Sequence, residues 1–191
     1  MISKQQLKKQ NDFGDWNAHL FIDSDMVFNA KDALKLIDHD KDIISGAYRR
    51  SDRTEYFNAG YFDKTLPGNI EKELTTDTKG LHKVDYVGAG FLLVKTSVFS
   101  KMEYPWFRHY IISKGDFQSE VSPDYGFCIN AKKAGLDIWV DCDTVITHNS
   151  DKRKQQNKFL PSSISNEALN AIESIKEIAK RYNILFRQIT R

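Results

Sequence analysis

The sequence predicts an α/β fold, a mixed sheet flanked by helices, and three observations carry that prediction. A short apolar run, His19–Ile22, ends abruptly in Asp23-Ser24-Asp25, as a buried strand delivering carboxylates at its end would. A helical segment opens at Asn29 and is followed by the β-rich Asp42–Tyr48, giving strand–helix–strand within thirty residues. Val84–Val87 and Phe91–Lys95 then form two short strand pieces around Gly88-Ala89-Gly90. With 191 residues, 40% hydrophobic and 28% charged, the chain can bury one real core and is neither a disordered tail nor a coiled coil.

Each element has a local reason. Asn29 and Asp32 have the spacing of a capping box, and Ala33, Leu34, Leu36 and Ile37 follow as the apolar face. Glu55–Asp63 and Leu66–Asp77 read as an aromatic-rich excursion, with Pro67-Gly68-Asn69 as its turn. Thr96–Met102 reads as a helical turn. His109–Ser122 lacks periodicity, contains Gly115 and reads as a mobile loop. Tyr125–Ala134 fits a helix with Phe127, Cys128, Ala131 and Ala134 inward and Gly135 as its C′ glycine. Ile138–Val140 and Val145–Thr147 read as two short strands, the second ending at His148. From Ser165, the residues Ala168, Ile172, Ile175, Ala179, Tyr182 and Phe186 recur every three or four positions, predicting one amphipathic helix with a single buried stripe. The expected organisation is a polar arm over residues 1–18, a domain over 19–150, and a charged linker with the amphipathic helix over 151–191.

Composition also narrows the function. The net charge of +2 gives no footprint for nucleic acid. The longest apolar runs fall far short of the roughly 20 residues a membrane span needs. Residues Met1 to Gln10 are polar with no apolar signal-peptide core, and Cys128 and Cys142 lack any paired-thiolate spacing, so a reduced, cytoplasmic protein is expected.

Four constellations can carry chemistry. Asp23 and Asp25, one residue apart after a buried strand, can face a divalent cation such as Mn²⁺ or Mg²⁺; strand ends also carry Asp for turn and capping reasons. His148, at the end of another strand, is a competent ligand for such an ion, although a lone histidine is more often a surface group. Asp124 starts a helix, where it is either a cap or a general base presented at a cleft. Gly88 and Gly90 permit close backbone approach to a ligand, yet the third glycine of a dinucleotide fingerprint is absent.

Read in order, the segments are F-I-D-S-D-M-V, D-I-I-S-G-A-Y-R-R, V-D-Y-V-G-A-G-F-L-L-V-K, P-W-F, S-P-D-Y-G-F-C, G-L-D-I-W-V-D and T-H. This set, running from His19 to His148, resembles the C-terminal two-thirds of GT-A glycosyltransferases, particularly bacterial and viral relatives of the inverting family-2 type. The resemblance implies that Asp23 and Asp25 serve metal and nucleotide-diphosphate binding, with His148 completing the metal site. It implies that Asp124 is the base activating the acceptor hydroxyl. It further implies that Gly88, Ala89 and Gly90 line the donor-sugar pocket, with Trp106 near the acceptor. Where the family commonly has Glu before that aspartate, this chain has Pro123. Only eighteen residues precede His19, so the expectation is a truncated GT-A sandwich without the N-terminal nucleoside-binding units and with an exposed edge beside the D-x-D strand.

The implied activity is metal-dependent transfer of a sugar from a nucleotide-sugar donor to a hydroxyl of a glycan, lipid or protein acceptor, with Mn²⁺ or Mg²⁺ as cofactor. The alternative is a non-catalytic or split remnant that binds sugar nucleotide or glycan, or pairs with a separate nucleotide-binding chain. The amphipathic helix and the exposed edge make an oligomer or a companion chain part of that expectation. A phosphoryl or nucleotidyl transferase ranks lower, since a glycine-rich phosphate loop and a basic patch are both missing.

Overall fold

The computed structural model describes residues 17–50, 52–114, 117–148 and 166–189. The predicted arm, apart from its last two residues, and the charged segment Asp151–Asn157 lie outside them. Strands β1 (Ala18–Asp23), β3 (Ile43–Tyr48), β8 (Phe91–Lys95), β11 (Ile138–His148) and β12 (Ile184–Ile189) build a mixed sheet in the order β12-β1-β8-β3-β11. The short β2 (Met26–Val27) and β6 (Leu81–Val84) both pair antiparallel with β11. β1 is parallel to β12 and β3 is parallel to β11, while β8 runs antiparallel between β1 and β3. The chain is therefore α/β with a mixed sheet.

Both faces of this sheet are covered, which explains why its strands read as apolar runs rather than clean alternations. All six residues of β3 are buried. Alternate residues go to opposite sides: Ile43, Leu92 and Val94 join one core, Ile44, Phe91 and Leu93 the other. Helix α1 (Ala30–Asp38) brings Ala33 and Leu36 to the second core, held at its start by the predicted Asn29–Asp32 capping box. On the other face lie α2 (Thr96–Lys101), contributing Val98, and α3 (Pro123–Lys133), contributing Phe127, Cys128 and Ala131. Gly135 takes φ +73° after α3, the left-handed C′ position expected of it, whereas Ala134 is exposed rather than inward. Beside α3, β4 (Tyr56–Asp63), β5 (Leu66–Thr75) and β7 (Tyr86–Val87) form a small antiparallel sheet.

Several sequence expectations are corrected. His109–Ser122 is not an irregular loop: β9 (Tyr110–Lys114) and β10 (Phe117–Val121) pair antiparallel as a hairpin. Pro67-Gly68-Asn69 lies inside β5, and the hairpin turns at Lys64-Thr65. Gly68, at φ +104°, sits where the β4–β5 register slips between Asp63↔Leu66 and Phe62↔Ile70, so the turn chemistry makes a bulge. The two predicted strands at 138–147 are one, with an irregularity between Asp141 and Val145. There Asp141 accepts hydrogen bonds from the Asp143 backbone at 3.0 Å and the Thr144 hydroxyl at 2.6 Å, a local turn that leaves the strand intact on either side.

The largest correction is at the end of the chain. Helix α4 (Asn166–Arg181) stops at Arg181, and Phe186 belongs to β12. Ile175 and Ala179 are buried against α1's core and Ile172 is half-buried, but Tyr182 is 37% exposed, so the stripe does not continue. Asn183, at φ +53°, ends the helix and turns the chain back. β12 then pairs along all of β1, Ala18↔Ile184 through Asp23↔Ile189. The edge expected to be bare beside the D-x-D strand is filled by the chain itself. Among the described residues, no helix is long and apolar enough to cross a membrane.

Candidate functional site

Strand direction assembles the site. β1, β3 and β11 point the same way and β8 opposes them, so three carboxyl ends and the amino end of β8 meet at one edge. That edge, at the ends of parallel strands, is where open α/β sheets bind ligands. Asp23 closes β1 and Asp25 follows it, Tyr48 closes β3, His148 closes β11, and Gly88–Gly90 leads into β8.

The structure brings Asp25 and His148 together, with Asp25 Oδ2 3.3 Å from His148 Nε2. β2 contributes to this, because Met26 stands opposite His148 in its pairing with β11. Asp23 is buried at 4% exposure, and its backbone N–H donates to the Gly90 carbonyl at 3.0 Å, tying the D-x-D turn to the glycine turn. Among the described residues, no group of three or more His, Cys, Asp or Glu side chains has the spacing to hold a metal ion. Asp25 and His148 are in direct contact as an ion pair, and their separation can be compared with that of two ligands on one ion. Two ligands each about 2.1 Å from an ion at right angles lie about 3 Å apart, close to the observed separation, and Mg²⁺-like ions keep their other positions for water and phosphate oxygens. Oxygen and imidazole nitrogen are both suitable donors for such ions.

Asp124 lies in the first turn of α3, and its Oδ2 accepts a hydrogen bond from the Ala89 backbone N–H at 3.3 Å. That contact ties the helix start to the glycine turn. The residue at the centre is Tyr48, to which sequence reasoning gave no role. Its hydroxyl accepts from Asn58 Nδ2 at 3.0 Å and from the Gly90 N–H at 3.2 Å, and its ring stacks on His148 with centroids 6.3 Å apart. Burial, then the neighbouring Asp124 charge and to a lesser degree Asp23, push the Tyr48 phenol well above its ordinary pKa, so it stays neutral.

The structure gives the two glycines a packing reason. A Cβ at Gly88 would stand 1.8 Å from the Tyr48 hydroxyl and 2.2 Å from Asn58 Nδ2. At Gly90 it would meet the Met26 methyl at 2.2 Å. The turn is glycine-rich because the protein's own side chains fill the space beside it.

From Asn58 the network runs outward. Tyr125 donates its hydroxyl to Asn58 Oδ1 at 2.8 Å, and Arg50 Nη1 reaches the Tyr125 oxygen at 3.4 Å. Arg50 also pairs with Glu73 at 2.9 Å and with Asp52 at 2.8 Å. The Arg50 hydrogen bonds hold the Asp52 carboxyl at a pKa of about 2. Arg50 and Tyr125 form part of the wall of an open cleft of about 800 Å³ between β5, the β9–β10 hairpin and the start of α3. Trp106 stands apart from this group. Its indole N–H donates to the Phe99 carbonyl at 3.0 Å, and its ring packs on Phe99 and Tyr104 against the core.

A sequence signal existed for Tyr48 and Arg50, which close the strand segment I-S-G-A-Y-R-R. Asn58 and Glu73 lie mid-strand in the excursion, with no local pattern to mark them.

No protein-family model matches the chain, and no curated protein matches it. Among solved structures, the crystal structure of A197 from STIV aligns with 84% of this chain and 76% of its own, at 14% identity and a TM-score of 0.43. At that score the likeness carries no weight for fold or function.

Proposed function

We propose that this protein is a metal-dependent glycosyltransferase of GT-A type, moving a sugar from a nucleotide-sugar donor to an acceptor hydroxyl. The observation that carries the reading is the Asp25–His148 pair at a sheet edge that also holds Asp124 and the Gly88–Gly90 turn. Asp25 and His148 would hold Mn²⁺ or Mg²⁺. The cation, when bound, compensates the charge on the departing diphosphate.

The chain's own residues supply the remainder. Asp124 takes the acceptor proton as the acceptor oxygen bonds to the anomeric carbon and the bond from that carbon to the diphosphate breaks. The Ala89 N–H fixes one oxygen of Asp124 and leaves the carboxylate oriented by backbone rather than by a mobile side chain. Tyr48 accepts the Gly90 N–H and stacks on His148, linking the glycine turn to the end of β11.

The alternative of a non-catalytic remnant predicts no transfer with any donor. The test is a transfer and donor-hydrolysis screen over several nucleotide sugars with Mn²⁺, with and without chelator. Metal-dependent turnover that Asp25→Asn abolishes supports the transferase reading. Turnover indifferent to chelator, or none with any donor, overturns it.

A further inference from the structure

Tyr125, which follows Asp124 in the first turn of α3, lines the cleft, and the chemistry of that cleft describes what it would take. Glu73 is buried in its wall, and two guanidinium groups grip the carboxylate: Arg50 Nη1 lies 2.9 Å from Oε1 and Arg53 Nη1 lies 2.9 Å from Oε2. Arg50 is also bound by Asp52. Neither arginine is therefore an uncommitted cation. Around the whole cleft, three Lys or Arg residues face three Glu residues, so the lining is neutral in sum. Asn69 adds an amide, and the rings of Tyr56 and Tyr125 are half-buried in the same wall.

We propose that this cleft binds the acceptor, and that the acceptor is a neutral carbohydrate. The proposal rests on the transferase reading above and adds the acceptor class. A phosphate or carboxylate ligand would have to compete with Glu73 for the arginines and would meet no excess of positive charge. A lipid chain would bury charged groups with no compensation. A sugar offers adjacent hydroxyls that each donate and accept, and guanidinium, carboxylate and amide groups supply both partners at fixed planes. Tyrosine rings cover the apolar C–H faces that the hydroxyls leave. The volume of about 800 Å³ lies in the usual small-ligand range of about 300–1,000 Å³ and accommodates a short oligosaccharide.

The test uses the full chain in isothermal titration with maltotriose, cellotriose, mannotriose and chitotriose, against sialylated and phosphorylated oligosaccharides and a short polyprenyl phosphate. Mn²⁺-dependent binding of nucleoside diphosphates is measured on the same protein. At least one neutral trisaccharide is expected to bind, more tightly than the anionic probes. Arg53→Ala and Tyr56→Ala are each expected to weaken it about ten-fold. The Arg53 side chain is 58% exposed but pairs with the buried Glu73, so Arg53→Ala is expected to lower the Tm as well; thermal unfolding well above the titration temperature verifies that both variants are folded when binding is measured. Tighter binding of an anionic probe, no binding of any probe, or full binding by both variants overturns the proposal. If neutral glycans fail while nucleoside diphosphate binding persists, only the acceptor assignment falls. If glycans bind but nucleoside diphosphates do not, it is the transferase reading that fails.

Discussion

Replacing Tyr48 with phenylalanine removes one oxygen and tests the centre of the site. The Tyr48 hydroxyl accepts from Asn58 Nδ2 at 3.0 Å and from the Gly90 N–H at 3.2 Å, and Tyr48 is 6% exposed. Each bond contributes about 0.5–1.5 kcal/mol net, and a buried donor left without an acceptor costs about 1–3 kcal/mol. Gly90 is buried, so its N–H bears that larger cost, whereas Asn58 is half-buried and bears less. Together they give a loss of about 2–4 kcal/mol. For a chain of this length, about 2–4 °C per kcal/mol makes that a fall in Tm of about 4–16 °C. Urea unfolding followed by tryptophan fluorescence reads the free energy directly. A double-mutant cycle with Asn58→Ala should show a coupling of about 0.5–3 kcal/mol, because the two changes remove the same contact. A destabilisation below about 0.5 kcal/mol, which is within the range of an ordinary surface substitution, would refute the central placing of Tyr48. So would strict additivity in the cycle.

Asp124→Asn should cut transfer about 10²–10⁴-fold with donor binding retained, since an acid–base role has that size; full transfer by the variant removes the base assignment. Gly88→Ala should destabilise by about 1–3 kcal/mol, the usual cost of overpacking, because its Cβ would stand 1.8 Å from the Tyr48 hydroxyl; a neutral result in urea unfolding would show that Tyr48 moves aside freely. Burial pushes the Asp141 carboxyl up, but the Thr144 hydroxyl, the Asp143 N–H and His39 outweigh it and hold the pKa below 3.8. A depressed folded-state pKa stabilises above the unfolded value and loses that contribution as pH falls through the folded one. Thermal unfolding between pH 5 and about pH 2 should therefore show Asp141→Asn less stable than wild type at the upper end and converging with it at the lower. A constant gap would contradict the assignment.

The strands of the main sheet were legible because burial on both faces writes itself as short apolar runs, and β1, β3 and β8 read that way. The misread segments share a physical cause, in that local chemistry was overridden by pairing. Asp141-Cys142-Asp143-Thr144 looks like a break, yet the turn it makes is absorbed as an irregularity while Val145 and Ile146 stay paired with β3. In the β9–β10 hairpin, Ile111 is 73% exposed and its neighbour Ile112 is the half-buried one, so hydrophobicity does not mark the inner face. The three-four spacing after Ser165 runs past Arg181 by coincidence of β-strand residues. Asn183 was the available signal, since asparagine is the commonest residue after glycine to take the left-handed conformation that ends a helix.

For the site, the legible part was the part written at strand ends. Asp25 and His148 lie more than a hundred residues apart in the chain and meet because β11 and β1 finish at the same edge. Tyr48 closed a readable strand segment without any mark of its contacts, and Asn58 and Tyr125 were not legible, because each looks like a core or strand residue until three segments converge. The glycine turn shows why the distinction matters. Glycines at a candidate ligand site invite the inference that a ligand's approach excludes their side chains. Here the excluded volume belongs to Tyr48, Asn58 and Met26. The turn is thus shaped from within, and its constraint passes to the Ala89 N–H that holds Asp124. A substitution at Gly88 should therefore alter the carboxylate through the packed interior, even with no ligand bound. The shape of the turn is a property of the folded chain itself.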